Sequence, residues 1–283
     1  MRIGCIGTGK MGGPIAGNLA RAGHDVIIFQ RRDHSTPPAA PSASRTRNLR
    51  DLAPCEVVLT CLPLPRDVET VMTGPKGLLA SMAPGSIYID MSTIDPGTSH
   101  RLEAAALRQE IEFLQCTLGK TPDHAAKAQE PMFIGGSKAC FERLAALWPV
   151  MGSPVHYLGT VDAACAIKLV SNMIGMANLV VLCEGLQVLH KAGLDMEKAI
   201  ELLQDTGARS FQLDVRGPWI AAEDDRSRFG LDLALKDVRL GCEMADSWSM
   251  DIPTMKTVLN MFQEASAAGH GDKDCCGVRH IIT

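Results

Sequence analysis

Residues 7–12, Gly7-Thr8-Gly9-Lys10-Met11-Gly12, form a GxGxxG turn between a short apolar run, Arg2–Ile6, and a stretch of helical character at 13–22. Between a strand and a helix, each glycine answers a separate steric demand. The first permits the tight turn, the second lets a diphosphate approach the backbone, and the third lets helix and strand pack closely. The start of the helix then offers N–H groups without intrahelical partners, and positive potential. The pattern predicts a dinucleotide site held by Gly7, Thr8, Gly9, Lys10, Met11 and Gly12.

The rest of the first half repeats the alternation of strand and helix. Asp25–Phe29 and residues 55–61, 86–90, 111–114 and 132–134 are Val/Ile-rich runs bounded by Gly, Pro and Asp. Strands buried on both faces read this way, and the helical stretches between them imply right-handed crossovers and a parallel sheet. The Pro/Ser-rich residues 34–47 read as an exposed loop. Past Gly159 the character changes. Val161, Cys165, Leu169, Met176, Leu179, Cys183 and Leu186 recur at helical spacing, and Gly193 supplies a stop. A long helix over 161–192 follows, then helices at Met196–Gln204, 231–248 and 252–268. The expected architecture is a Rossmann-type α/β parallel-sheet domain (1–158) joined by the long helix to an all-α domain (159–283).

The 283 residues carry 28 Lys+Arg against 32 Asp+Glu, a net charge of −4, and only 4% aromatics. That balance argues against a nucleic-acid partner, which needs clustered cations and stacking platforms. No unbroken apolar run reaches the about 20 residues of a bilayer span, so no membrane partner is expected. The longest candidate, 173–183, contains Asn178. Ten scattered cysteines without a CxxC, and an N-terminus broken by glycines, point to reduced thiols and a cytoplasmic location. The eight histidines show no ligand pairing, and no metal is expected.

Beyond the second strand stand Gln30, Arg31 and Arg32. A carboxylate there reads the ribose 2′-hydroxyl of NAD, whereas arginine accommodates the 2′-phosphate of NADP. Gln30 does not repel a phosphate, and Arg31 or Arg32 can clamp one in bidentate fashion. NADP(H) is therefore expected in preference to NAD(H), which stays possible.

Together with later segments, these residues resemble the β-hydroxyacid dehydrogenases, the group of 3-hydroxyisobutyrate dehydrogenase and tartronate semialdehyde/glyoxylate reductase. The likeness runs almost from end to end. It includes the opening IGCIGTGKMGGPIAGNLARAGHDVIIFQR, Leu62-Pro63 after the third strand, Asp90-Met91-Ser92-Thr93 with Pro96, a KxxxN core at Lys168 and Asn172, Lys236-Asp237, and GHGDKD at 269–274. The resemblance implies hydride transfer between a nicotinamide and a small anionic substrate. Lys168 would be the general acid and base and Asn172 the orienting amide. Leu62, Pro63, Thr93 and Lys236 would lie by the cofactor, and Ser92 by the substrate. A homodimer or homotetramer is expected. Lys168 and Asn172, four apart, share one helical face.

Two segments depart from the family pattern. Its Ser-Gly-Gly, which holds a substrate carboxylate, is here Gly119, Lys120 and Thr121. This GKT is similar to the Gly-Arg-Thr of the sulfolactaldehyde reductase branch, so Lys120 and Thr121 are expected at a carboxylate or sulfonate. Asp162 and Ala164 stand where the family has glycine. Two other readings remain: an imine reductase-like enzyme, although that group typically replaces the lysine, and a non-catalytic dinucleotide sensor or scaffold. Trp219, Phe229 and Trp248 are expected to pack in the core.

Overall fold

A computed structural model describes residues 1–31 and 43–282. Among them the chain forms two compact units, Met1–Lys168 and Leu169–Thr283. Arg32 and most of the expected loop lie outside the described residues.

The first unit is built on an eight-stranded sheet ordered β3-β2-β1-β4-β5-β6-β7-β8. The strands are β1 Arg2–Ile6, β2 Asp25–Phe29, β3 Ser44–Thr46, β4 Val57–Thr60, β5 Ile87–Asp90, β6 Glu112–Leu118, β7 Met132–Gly136 and β8 Val155–Gly159. Alternate residues enter cores on opposite faces. Ile3, Val57, Leu59 and Ile89 meet Ile15 and Leu19 on one side, while Val58, Tyr88 and Phe113 meet Val68, Met72 and Leu102 on the other. Helices α1 Gly12–Arg21, α2 Pro65–Met72, α3 Pro96–Leu107, α4 Pro122–Ala126, α5 Lys138–Arg143 and α6 Trp148–Met151 connect the strands.

Three features correct the sequence reading. The sheet is not parallel throughout, because β6 and β7 pair antiparallel; their connection returns through the short α4 without crossing the sheet. Residues 44–46, within the expected loop, form the edge strand β3 beside β2. The other edge, β8, was not anticipated. Neither edge strand is buried on both faces, so neither shows a continuous apolar run.

Helix α7, Val161–Lys191, spans 31 residues. Its first turns belong to the sheet unit. Val161 and Cys165 join the core around Leu102, and the Ala164 carbonyl accepts a hydrogen bond from Thr117 Oγ1 at 2.8 Å. The division between units accordingly falls inside the helix rather than before it. By length and mean composition α7 is apolar enough to cross a bilayer, although no unbroken apolar run is, because Lys168, Asn172 and Asn178 are diluted among aliphatic neighbours. In the second unit its Leu179, Cys183 and Leu186 pack with Leu213, Val238 and Phe262 from α8 Met196–Gln204, α9 Phe211–Ala221, α10 Leu231–Ser247 and α11 Pro253–Ala265 and the segments between them. Helix α9 was not anticipated, since Gly217-Pro218 inside it reads as a breaker. Trp248 is 51% exposed and not part of the core as expected; it stands just past the end of α10. Phe229 does pack against the core.

Candidate functional site

The glycine turn follows from its sterics. Gly7 has φ +86°, and a Cβ there would lie 2.3 Å from the Cys61 carbonyl oxygen. A Cβ at Gly12 would lie 2.3 Å from the Gly7 carbonyl oxygen. These two glycines are demanded by the protein's own packing. Gly9 differs: a Cβ there would meet none of the described residues within 4 Å, an opening that suits an approaching diphosphate. Met11 precedes α1 without a side-chain capping bond, and no acidic residue stands in the first turn. The helix thus supplies no side-chain anion of its own to its N-terminal N–H groups and the positive end of its dipole. Thr8 and Met11 are half-buried and Lys10 is exposed.

At the end of β2, Gln30 is half-buried and its Oε1 accepts a hydrogen bond from Arg45 Nη1 at 3.1 Å. Arg45 comes from β3, which the sequence reading left as loop. Arg31 is exposed beside them. Two guanidinium groups, one of them unforeseen, are therefore present where a 2′-phosphate would be read.

The loop after β4 is tied to the loop after β5. The Leu62 backbone N–H donates to Ser92 Oγ at 2.9 Å, and Ser92 Oγ donates to Asp90 Oδ1 at 2.7 Å. Asp90, 0% exposed, also accepts from Thr60 Oγ1 at 2.6 Å and from Gln115 Nε2 at 2.9 Å. Burial raises the Asp90 pKa above the ordinary carboxylate value, and the bonds from Thr60, Gln115 and Ser92 oppose that rise. The Ser92 hydroxyl hydrogen is thus committed to Asp90, and Ser92 supports the loop at Leu62 and Pro63. Thr93 is half-buried next to it.

Gly119, Lys120 and Thr121 follow β6. The Gly119 N–H donates to the Pro131 carbonyl at 2.8 Å. Lys120 is exposed and holds φ +54°, the left-handed conformation that glycine adopts most readily. The substitution by lysine therefore keeps a glycine-like backbone while adding an ammonium. Thr121 Oγ1 and His124 Nδ1 share a hydrogen bond of 2.7 Å.

On α7, Lys168 is half-buried, and Asn172 lies one turn further along. In the helical unit Asn172 Nδ2 donates to Asp237 Oδ2 at 2.5 Å, and the Lys236 ammonium lies 2.7 Å from Asp237 Oδ1. Lys236 is almost buried there. Sequence spacing gave no sign of Asp90, Gln115 or Asp237 as partners, because each is set by tertiary packing. The family-like segment at 269–274 is also anchored: buried Asp274 pairs with Arg216 Nε at 3.0 Å and accepts from the backbone N–H groups of Arg228 and Phe229.

Known proteins resemble the chain throughout. A family model described as the NAD binding domain of 6-phosphogluconate dehydrogenase matches residues 2–159. A second, described as NAD-binding of NADP-dependent 3-hydroxyisobutyrate dehydrogenase, matches 163–281. A 2-(hydroxymethyl)glutarate dehydrogenase of Eubacterium barkeri is 27% identical over 98% of this chain and 93% of its own length. A chloroplastic glyoxylate/succinic semialdehyde reductase of Arabidopsis thaliana is 27% identical over 98% of this chain and 78% of its own. The crystal structure of a 3-hydroxyisobutyrate dehydrogenase from Salmonella typhimurium superposes with a TM-score of 0.90 at 23% identity, covering 99% of both chains. That likeness establishes the fold.

Proposed function

The chain belongs to the β-hydroxyacid dehydrogenase family of NAD(P)-dependent enzymes, and we propose that it interconverts a small anionic hydroxy acid and its semialdehyde or keto form, preferring NADP(H). The observation that carries this reading is Lys168 four residues before Asn172 on an unbroken helix, in a chain whose glycine turn leaves Gly9 open for a diphosphate. The nicotinamide dinucleotide, when bound, gives or takes the hydride. Residues 7–12, Leu62, Pro63 and Thr93 would hold it, with Arg31 and Arg45 at a 2′-phosphate. Lys168 gives a proton to the carbonyl oxygen during reduction and recovers it from the hydroxyl during oxidation. Asn172 orients the reacting group. Lys120, exposed on its left-handed turn, and Thr121 meet the anionic end of the substrate, a carboxylate or a sulfonate.

All ten cysteines are unbridged, which supports a cytoplasmic location. Ile167, Ile174, Val181 and Val188 are exposed along α7 at seven-residue spacing, which supports a homo-oligomer. The test is a screen of NADPH oxidation against carboxylate- and sulfonate-bearing aldehydes with wild type, Lys168→Ala and Lys120→Ala. Lys168→Ala is expected to lower kcat about 10²–10⁴-fold. Turnover that survives this substitution unchanged would end the proposed mechanism.

A further inference from the structure

Within the helical unit one carboxylate decides how Asn172 can be used. Asp237 is 2% exposed, and its Oδ2 accepts from Asn172 Nδ2 at 2.5 Å. Lys236, 5% exposed, sets its ammonium 2.7 Å from the other oxygen. An ionised carboxylate only accepts hydrogen bonds, so it can face the nitrogen of an amide but not its oxygen. The contact therefore fixes the amide flip of Asn172. Nδ2 is spent on α10 through one of its hydrogens, and Oδ1 is turned away from Asp237. Lys236 balances that negative charge at 2.7 Å, which lowers the cost of holding it away from water.

We infer that Asp237 is a positioning residue that locks the Asn172 amide in one orientation, with Lys236 as its counter-ion. The inference rests on the reading that Asn172 orients the substrate, and it names the group that orients Asn172.

The test is a double-mutant cycle on the full chain with Asn172→Ala, Asp237→Ala and the double variant. It reads kcat and KM for the hydroxy acid, with dinucleotide binding to the sheet unit as a control for folding. Asp237→Ala is expected to lower kcat/KM about 10–100-fold, the scale of a misplaced orienting group. In the Asn172→Ala background it should add less than about threefold, because its partner is gone. Asp237→Asn keeps an oxygen that accepts from Nδ2 and should recover at least about tenfold of the loss. Additive losses across the cycle would overturn the inference, as would wild-type kcat/KM in Asp237→Ala. Should Asp237→Ala fail to fold, Asp237→Asn decides: kcat/KM as low as in Asn172→Ala overturns the inference. A wild type inactive on every hydroxy acid, or an unimpaired Lys168→Ala, would instead strike the functional reading itself.

Discussion

Single residues carry opposing demands, and Lys120 shows this most directly. Its φ of +54° costs a side-chain-bearing residue about 1 kcal/mol relative to glycine. Lys120→Gly should therefore raise Tm slightly while removing the ammonium proposed to meet the substrate anion. KM for the anionic substrate should rise about tenfold, the effect of losing one charge-assisted hydrogen bond. Thermal melts and steady-state kinetics on one protein sample separate the two effects; an unchanged KM would remove Lys120 from the substrate site. Glu130 presents a different conflict. It is 0% exposed, and among the described residues no side-chain donor meets either carboxyl oxygen. Burial pushes its pKa up to about 7 from an ordinary 4.5. The folded chain then binds more protons at this site than the unfolded one between those values. Stability accordingly falls as pH rises from about 4.5 to about 7, and the penalty persists above. Glu130→Gln cannot ionise. Its Tm relative to wild type should be higher by several degrees at pH 8 than at pH 5, as measured by melts across that range. A Tm difference independent of pH would show that Glu130 does not titrate as described.

Among the elements, the turn joining β1 to α1 separates structural from functional glycines. Gly7→Ala meets both a left-handed backbone and the Cys61 carbonyl, and should destabilise the sheet unit by about 2–4 kcal/mol. Gly9→Ala meets no atom of the described residues within 4 Å, so stability should stay within about 1 kcal/mol while dinucleotide affinity falls at least about tenfold. Denaturant titration and equilibrium NADPH binding check both; full affinity in Gly9→Ala would place the diphosphate elsewhere. The same distinction explains what could be read from the chain. Val57–Thr60 and Ile87–Asp90 are buried on both faces and announce themselves as apolar runs. Edge strands β3 and β8 bury too little to do so, and Gly217-Pro218 masked α9 although Ser210 caps its start. The turn glycines and the Lys168–Asn172 pair are local in sequence and were legible. Asp90 with Thr60, and Asp237 with Asn172, lie 30 and 65 residues apart, so only the folded packing reveals them. Arg45 was hidden for the same reason, inside a strand that did not look like one.

Across the whole molecule, charge sets the terms on which anions are recruited. The net charge of −4 gives the protein no general attraction for a phosphate-rich cofactor or an anionic substrate. Recognition has to come from local cations, and Arg31 and Arg45 are exposed ones near the end of β2. Exposed charge pairs are screened over about 8 Å at physiological ionic strength and over less at higher salt. Both nicotinamide cofactors carry the diphosphate proposed to meet residues 7–12, so salt acts on that contact in either case. Only NADPH adds a 2′-phosphate. The ratio of kcat/KM for NADPH to that for NADH cancels the shared contribution and isolates the arginines. Raising ionic strength from about 0.05 to about 0.5 M should lower this ratio several-fold in wild type, because the Debye length shortens about threefold. Arg45→Ala should begin with a lower ratio and lose part of its salt dependence, since one of the two guanidinium groups is gone. A ratio indifferent to salt in wild type would mean that any preference between the cofactors comes from shape around Gln30 rather than from charge.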